Sequence, residues 1–501
     1  MESSIKEWKL DATSLHSLDF PSRPVMLSLL ILFLLSTPII GSPLGDYEKE
    51  LNKEGLNVEN IHKLLKEESK EVEEEFGNEE TKAEIEKLRS LYASSCPVNG
   101  TLRPVKTELE INGELAKDLF EGDIVLTPEQ WKVALDKDPE NPMQRRQALS
   151  QSIQLWQPMG APVIPYTFEP GFPVDKKQII LDSQRFWEQR TCVRFRPATS
   201  ADRAVVSYNH NSAGCSSSVG MSGTKQTINL APGCFSVTVV AHELSHAFGT
   251  LHVQSRSDRD NYIIVDTANI QKGTEHNFMR DPPYYGTLST YGIPYEIGSM
   301  QHYYEKAFSI DTNRPTIYTK PAYSQYQYSM EAPRATFYDT LLINKMYKCT
   351  DKCQNRLACQ NNGVQDGADC NKCFCPRGWS GQLCDRRPAD AQIVNLSGSQ
   401  NLRVEIGDGV DRGFREKLYI IQAPAGKRIE ATVTRVGDYQ WSMCRSIGME
   451  IVASKDTRVA GFRFCANSRI KPIVTDSNTM LVWVYVDNAY KFNADISLRI
   501  G

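Results

Sequence analysis

Several things are scarce in this chain, and each scarcity excludes something. Charge of one sign is not in excess: 57 Lys and Arg stand against 61 Asp and Glu, a net −4. No basic surface for nucleic acid is therefore expected. A stable membrane span is also lacking. The apolar run Leu27–Leu35 is too short for one, and Pro38 interrupts any continuation of it. Small residues come next at Gly41 and Ser42, so Met26–Gly41 reads as a secretion signal. The basic lead such a signal should have is missing: residues 1–25 carry Glu2, Glu7, Asp11 and Asp19. That favours translation from Met26 over an uncleaved anchor. Histidine is rare, with eight in 501 residues, and three of the eight fall between His242 and His252. Cysteine is not rare. Thirteen of them, in spaced groups, point to an oxidising, extracellular compartment.

The histidines sit in AHELSHAFGTLH, as His-Glu-x-x-His-x-x-Gly-x-x-His. On a helix turning about 100° per residue, His242 and His246 lie roughly 40° apart on one face. Glu243 is beside them, while Val240, Leu244 and Ala247 fall on the face that a core can bury. Gly249 can take positive φ, end the helix and let the chain return with His252 as a third ligand. Three neutral imidazoles suit one Zn2+ and leave a position open for water, the mark of a catalytic site. Glu243 is then the general base. The extended motif is that of the metzincins.

Ahead of the motif lie an acid-rich segment and two short signals. Residues 46–95 are dominated by Glu and Lys, and the patchy spacing of Leu64, Leu65, Val72, Phe76, Ile85, Leu88 and Leu91 reads as solvated helix or disorder. Asn99-Gly-Thr101 is a glycosylation sequon, and Cys96 makes the cysteine count odd. Phe120-Glu-Gly-Asp123 precedes Asn141-Pro-Met-Gln-Arg-Arg146, a basic cleavage candidate. From about Phe120 to Cys349 the chain resembles the astacin family of zinc metalloproteases, nematode astacins among them. In that family the Asp of an FxGD motif sits on the zinc and keeps the zymogen latent, which gives Asp123 that role. The resemblance implies a two-lobed α+β catalytic domain, a twisted sheet with helices above the cleft and a less regular lobe below. Strands are expected at Val163–Phe168, Val193–Phe195, Val205–Tyr208 and Thr227–Leu230, and a helix at Asp175–Gln189.

The likeness continues through HVQSRSDRDNY (His252–Tyr262) with one departure: Val253 stands where the family has a Glu that pairs with the new amino terminus. Tyr295–Tyr303 resembles the Met-turn. Ser299, His302 and Tyr303 match, and Tyr303 would be the fifth ligand that swings away to hydrogen-bond the tetrahedral intermediate. Gln301 occupies the methionine position, with Met300 one residue early. By the same resemblance Cys192 pairs with Cys349 and Cys215 with Cys234.

Six cysteines follow at 353, 359, 370, 373, 375 and 384, with Gly378-Trp-Ser-Gly381 inside the last loop. Spacing alone leaves fifteen connectivities open. The ending resembles an EGF-like module, which implies Cys353–Cys370, Cys359–Cys373 and Cys375–Cys384. No acidic cluster precedes Cys353, so no calcium is expected there. Residues 389–501 turn to strand-like runs such as IEATVTRV and MLVWVYV. They resemble a divergent CUB domain, an all-β sandwich, with Cys444–Cys465 as its pair. Asn395-Leu-Ser397 is a second sequon.

The expected architecture is multidomain: an extension and signal peptide (1–42), a propeptide (43–146), an astacin-like catalytic domain (147–349), an EGF-like module (350–386) and a CUB-like domain (387–501). The expected function is a secreted, glycosylated zinc endopeptidase made as a latent zymogen. Its implied partners are an activating protease and substrates of extracellular matrix or cuticle type. The alternative is a catalytically inactive matrix-binding protein using the C-terminal modules, against which the intact ligand set and Glu243 argue.

Overall fold

The computed structural model describes residues 48–49, 51–93, 106–135, 153–156, 161–280, 290–437, 444–466, 471–487 and 489–501. The expected signal peptide, Cys96, the Asn99 sequon and the Asn141–Arg146 cleavage candidate lie outside the described residues.

The acid-rich segment differs from its sequence reading. It forms α1 (Val58–Phe76) and α2 (Glu79–Ala93), and both are docked rather than solvated. On α1, Ile61, Leu64, Leu65, Val72 and Phe76 make one buried stripe at helical spacing. Most of the surrounding Glu and Lys face water, the buried Glu68 excepted, and they dilute that stripe in the composition. Val72 and Phe76 join a cluster with Ile263, Phe278 and Tyr303, while Ile85, Leu88 and Tyr92 of α2 pack on Ile264 and Tyr318. Polar pins fix the register. Ser69 Oγ accepts from the His276 amide at 3.2 Å, and Arg89 pairs with the buried Asp266 at 2.7 Å. Two short helices follow, α3 (Glu108–Asn112) and α4 (Pro128–Leu135).

Strand β1 (Ile124–Val125), still in this N-terminal segment, pairs in parallel with β5 (Cys215–Ser218) at the edge of a six-stranded sheet. The sheet continues through β6 (Lys225–Leu230), β4 (Val205–Asn209), β2 (Val163–Phe168) and β3 (Arg194–Pro197). Only β5–β6 is antiparallel. Helices α5 (Val174–Glu188) and α6 (Val237–Phe248) pack together against it. Trp187 locks the pair by donating its indole N–H to the Ala241 carbonyl at 3.0 Å and meeting Phe248 edge-on. A second lobe holds short turns and one small antiparallel pair, Ile263–Val265 with Ile317–Thr319, around its own core. Helix α7 (Phe337–Met346) closes the unit and leads to Cys349, which is bridged to Cys192.

All twelve cysteines among the described residues are paired: Cys192–Cys349, Cys215–Cys234, Cys353–Cys370, Cys359–Cys373, Cys375–Cys384 and Cys444–Cys465. The stretch between Cys353 and Cys384 has little regular structure beyond one hairpin, Val364–Gln365 with Cys373–Phe374. Beyond it, a five-stranded and a four-stranded sheet share an apolar core in which Tyr419, Met449, Val482, Ile496 and Leu498 meet. Phe374 stacks on Phe337, and Arg463 donates to the carbonyls of Ser329 and Gly298. The C-terminal strands are thereby tied to the two-lobed unit. Asn395 is exposed at the end of its strand.

Candidate metal centre

Helix α6 begins where the Ser236 hydroxyl accepts from the Val239 amide at 3.1 Å and ends at Gly249, whose φ is 110°. That φ is what requires glycine; a Cβ there would also press on the end of the Leu155 side chain at 2.9 Å. The turn after it brings His252 back beside His242 and His246.

Each imidazole is oriented from behind. Nδ1 of His242 donates to the Met300 carbonyl at 3.0 Å, and Nδ1 of His246 to the Thr250 carbonyl at 2.8 Å. Nδ1 of His252 donates to Glu121 Oε2 at 3.0 Å. With Nδ1 carrying the proton, every Nε2 presents a bare lone pair to one common point.

Asp123 joins them. Phe120 and Ile124 exchange backbone hydrogen bonds of 3.0 and 2.9 Å, while Glu121 (φ 47°) and Gly122 (φ 74°) take the left-handed turn between them. Asn112 braces this turn by donating to the Gly122 and Cys215 carbonyls, both at 2.8 Å. The Asp123 carboxylate then stands 3.4, 3.6 and 3.3 Å from Nε2 of His242, His246 and His252. The Nε2 atoms of His242 and His246 are 3.1 Å apart although neither carries a proton for the other.

A zinc ion fits this set. With bonds of about 2.0–2.2 Å, the edges of a tetrahedron are about 3.3–3.6 Å. All four ligand atoms lie within 4.8 Å of one another. Both Asp123 oxygens and His252 Nε2 are buried with no hydrogen-bond partner, which a cation resolves at once. Charge is matched as well. Burial works against ionising Asp123, but His252, His242 and His246 outweigh it and hold its pKa well below normal. Without a cation the converse also holds, for Asp123 and Glu121 outweigh burial and push His252 up to about 10, a positive charge that a bound cation would replace. Burial pushes His246 down to about 3 despite Asp123.

Glu243 is wholly buried beside the cluster, and neither carboxylate oxygen has a partner. Burial, then Asp123 and Glu108, push its pKa upward. Tyr303 packs its ring on His252 at 4.8 Å and donates its hydroxyl to the Glu121 carbonyl at 2.7 Å. Gln301 lies under the site: its amide donates to Ser245 Oγ at 2.5 Å and to the His242 carbonyl at 3.2 Å. Val253 donates its amide to the Gln301 carbonyl at 2.8 Å.

Two contributors went unread in the sequence. Glu121 lies inside a motif that drew attention only to its aspartate. Arg445, next to Cys444, reaches this site from the C-terminal sandwich, and no local pattern marks it.

A glycine-ended helix with two ligating histidines, followed at once by a third, places the protein among the metzincins. Comparison with known proteins narrows this. Residues 148–348 match Astacin (Peptidase family M12A). Zinc metalloproteinase dpy-31 of Haemonchus contortus is 30% identical over 402 residues, covering 76% of this chain and 71% of that protein. Zinc metalloproteinase nas-30 of Caenorhabditis elegans is 31% identical over 399 residues, covering 79% of this chain. Among solved structures, high choriolytic enzyme 1, a hatching enzyme zinc-protease from the medaka Oryzias latipes, is 29% identical over 37% of this chain and 89% of its own, with a TM-score of 0.34. The chain belongs to the astacin family, which is zinc-dependent. It spans 52% of the length of nas-30 and 62% of nas-29.

Proposed function

We propose that this protein is a secreted zinc endopeptidase held latent by its own residues 43–146, with residues 147–349 as the catalytic domain. The observation that carries the reading is the convergence of Asp123 with His242, His246 and His252 around one point, next to a buried Glu243. Zinc held by the three histidines would polarise a peptide carbonyl and acidify a water. Glu243 takes the proton from that water and passes it to the leaving amine. Tyr303, once released from the Glu121 carbonyl, donates its hydroxyl to the oxygen on which negative charge develops. Asp123 blocks this by standing where the water would be held. Residues 350–386 and 387–501 serve as EGF-like and CUB-like modules that locate the enzyme. Matrix or cuticle-type proteins are the substrates this organisation suits. Three disulfides within 32 residues, Cys353 to Cys384, support the extracellular setting. Among the described residues, no helix is long and apolar enough to cross a membrane.

The deciding experiment is Glu243→Ala in the activated protein. It should keep its zinc and lose at least about a hundredfold in turnover, the lower end for a general base. Near-normal cleavage by the pure variant would end this assignment.

A further inference from the structure

Arg445 belongs to the C-terminal sandwich, between Cys444 and the strand Ile447–Val452, yet it is buried in the cleft of the two-lobed unit. Both of its Nη atoms grip the Glu108 carboxylate, Nη2 at 3.0 Å from Oε1. Nη1 also meets Glu331 Oε1 at 2.8 Å. Glu108 Oε1 stands 3.5 Å from Nδ1 of the metal-facing His242. The capping box of Thr107 and Glu110 fixes the start of α3 and with it the position of Glu108. Arg445 is held as firmly. The Cys444–Cys465 bridge and the Tyr485 hydroxyl, which donates to the Cys444 carbonyl, anchor the backbone beside it.

A two-pronged guanidinium–carboxylate pair is a recognition geometry rather than general adhesive. As adhesive it would be a poor choice, because apolar residues of similar volume stabilise a buried junction as well or better. The two carboxylates on Arg445 also have different fates. Glu331 is part of the catalytic unit and stays, keeping the guanidinium aimed. Glu108 is part of the segment that leaves. Its departure strips a buried cation of its two-pronged partner, right beside the metal-binding histidines.

We propose that Arg445 is a specificity-determining residue: after the N-terminal segment has gone, it binds an acidic side chain of the substrate where Glu108 now lies. This rests on the endopeptidase reading above. The C-terminal sandwich is then part of the substrate cleft and not only a locating module.

The test uses the full-length, zinc-loaded chain after proteolytic activation and removal of the N-terminal fragment. Peptides are compared in Glu/Gln pairs, with the varied residue moved through the positions flanking the cleaved bond. At one position the parent should favour Glu by at least about tenfold in kcat/KM. Arg445→Met should bring that ratio close to one, Arg445→Lys should keep part of it, and Arg445→Glu should turn the preference toward Lys. A second readout needs no turnover. A peptide of residues 106–125 should bind the activated parent about thirtyfold more weakly when it carries Glu108→Gln, and this penalty should vanish on the Arg445→Met chain. A Glu/Gln ratio or a binding penalty indifferent to residue 445 overturns the proposal while cleavage itself stands. A parent that cleaves no peptide overturns the endopeptidase reading, and this proposal with it.

Discussion

Gln301→Met tests how the floor beneath the three imidazoles is held. The Gln301 amide donates to Ser245 Oγ at 2.5 Å and the His242 carbonyl at 3.2 Å, while its Oε1 is buried without a donor. Ser245 itself donates to the His242 carbonyl at 2.8 Å, so neither group is stranded when the amide goes. The substitution gives up two neutral hydrogen bonds, each about 0.5–1.5 kcal/mol net, and removes an orphan acceptor costing about 1–3 kcal/mol. Those terms nearly cancel. Replacing a carboxamide by a thioether of similar shape in a dry place then adds about 1 kcal/mol of stability. For a unit of about 200 residues, that raises the melting temperature by about 2–4 °C. Calorimetry of the zinc-loaded chain, following the transition of the catalytic unit, measures it. Peptide turnover after activation should change only a few-fold, because His242, Glu243, His246 and His252 are untouched. A fall of several degrees would refute the reasoning by showing that the Gln301 amide is a net stabiliser. An inert parent made active by Gln301→Met would refute the endopeptidase reading of the native sequence.

Asp123→Ala should let the uncut chain cleave peptides; if it stays as silent as the parent, latency comes from steric blockade by the N-terminal segment alone. Glu121→Gln should weaken zinc binding in the uncut chain by about 10–100-fold, since the carboxylate behind His252 is lost, and leave the activated chain unaffected. Chelator competition on both forms measures this, and equal affinity in the two uncut chains would remove Glu121 from the site. The junction with the C-terminal sandwich should be pH-sensitive. Burial pushes Glu296 up to about 8 from an ordinary 4.5, although the Ala460 amide donates to it. The folded pKa lies above the unfolded one, so its contribution to stability is full below about 4.5 and is lost as pH rises through about 8. Thermal unfolding from pH 5 to 9 should show that decline in the parent and a flatter profile in Glu296→Gln; identical slopes would contradict it.

Much of the catalytic unit was legible because its signals are local. The His242–His252 spacing dictates a helix, a glycine stop and a returning ligand. Alternating strands such as Thr227–Leu230 announce themselves through period-two burial. What stayed hidden depends on partners distant in sequence. The stripe on α1 is visible only once something packs on it, and its many glutamates argued for water instead. Glu121 gains meaning from a histidine that lies 131 residues away. The Arg445–Glu108 pair spans 337 residues and joins two segments that no motif connects. Gln301 shows a related limit: its misfit to the Met-turn is plain in sequence, but the Ser245 hydroxyl that accommodates it is not.

The docking of α1, α2 and β1 changes what a single peptide-bond cut can accomplish. These elements share three apolar clusters with the catalytic unit, add a strand to its sheet and form ion pairs across the boundary. Breaking one bond in the connection removes none of those contacts. It only turns a tethered occupant into a bound one, at the loss of an effective concentration in the millimolar range. Large buried side chains, at about 1.5–3 kcal/mol each, are enough to keep the severed piece in place at micromolar protein. On the latency proposed above, onset of activity is thus a dissociation event, with an active fraction that rises on dilution and falls when free fragment is added. The speed of the activating cut need not set the pace, and a second protease that digests the fragment would act as a true accelerator.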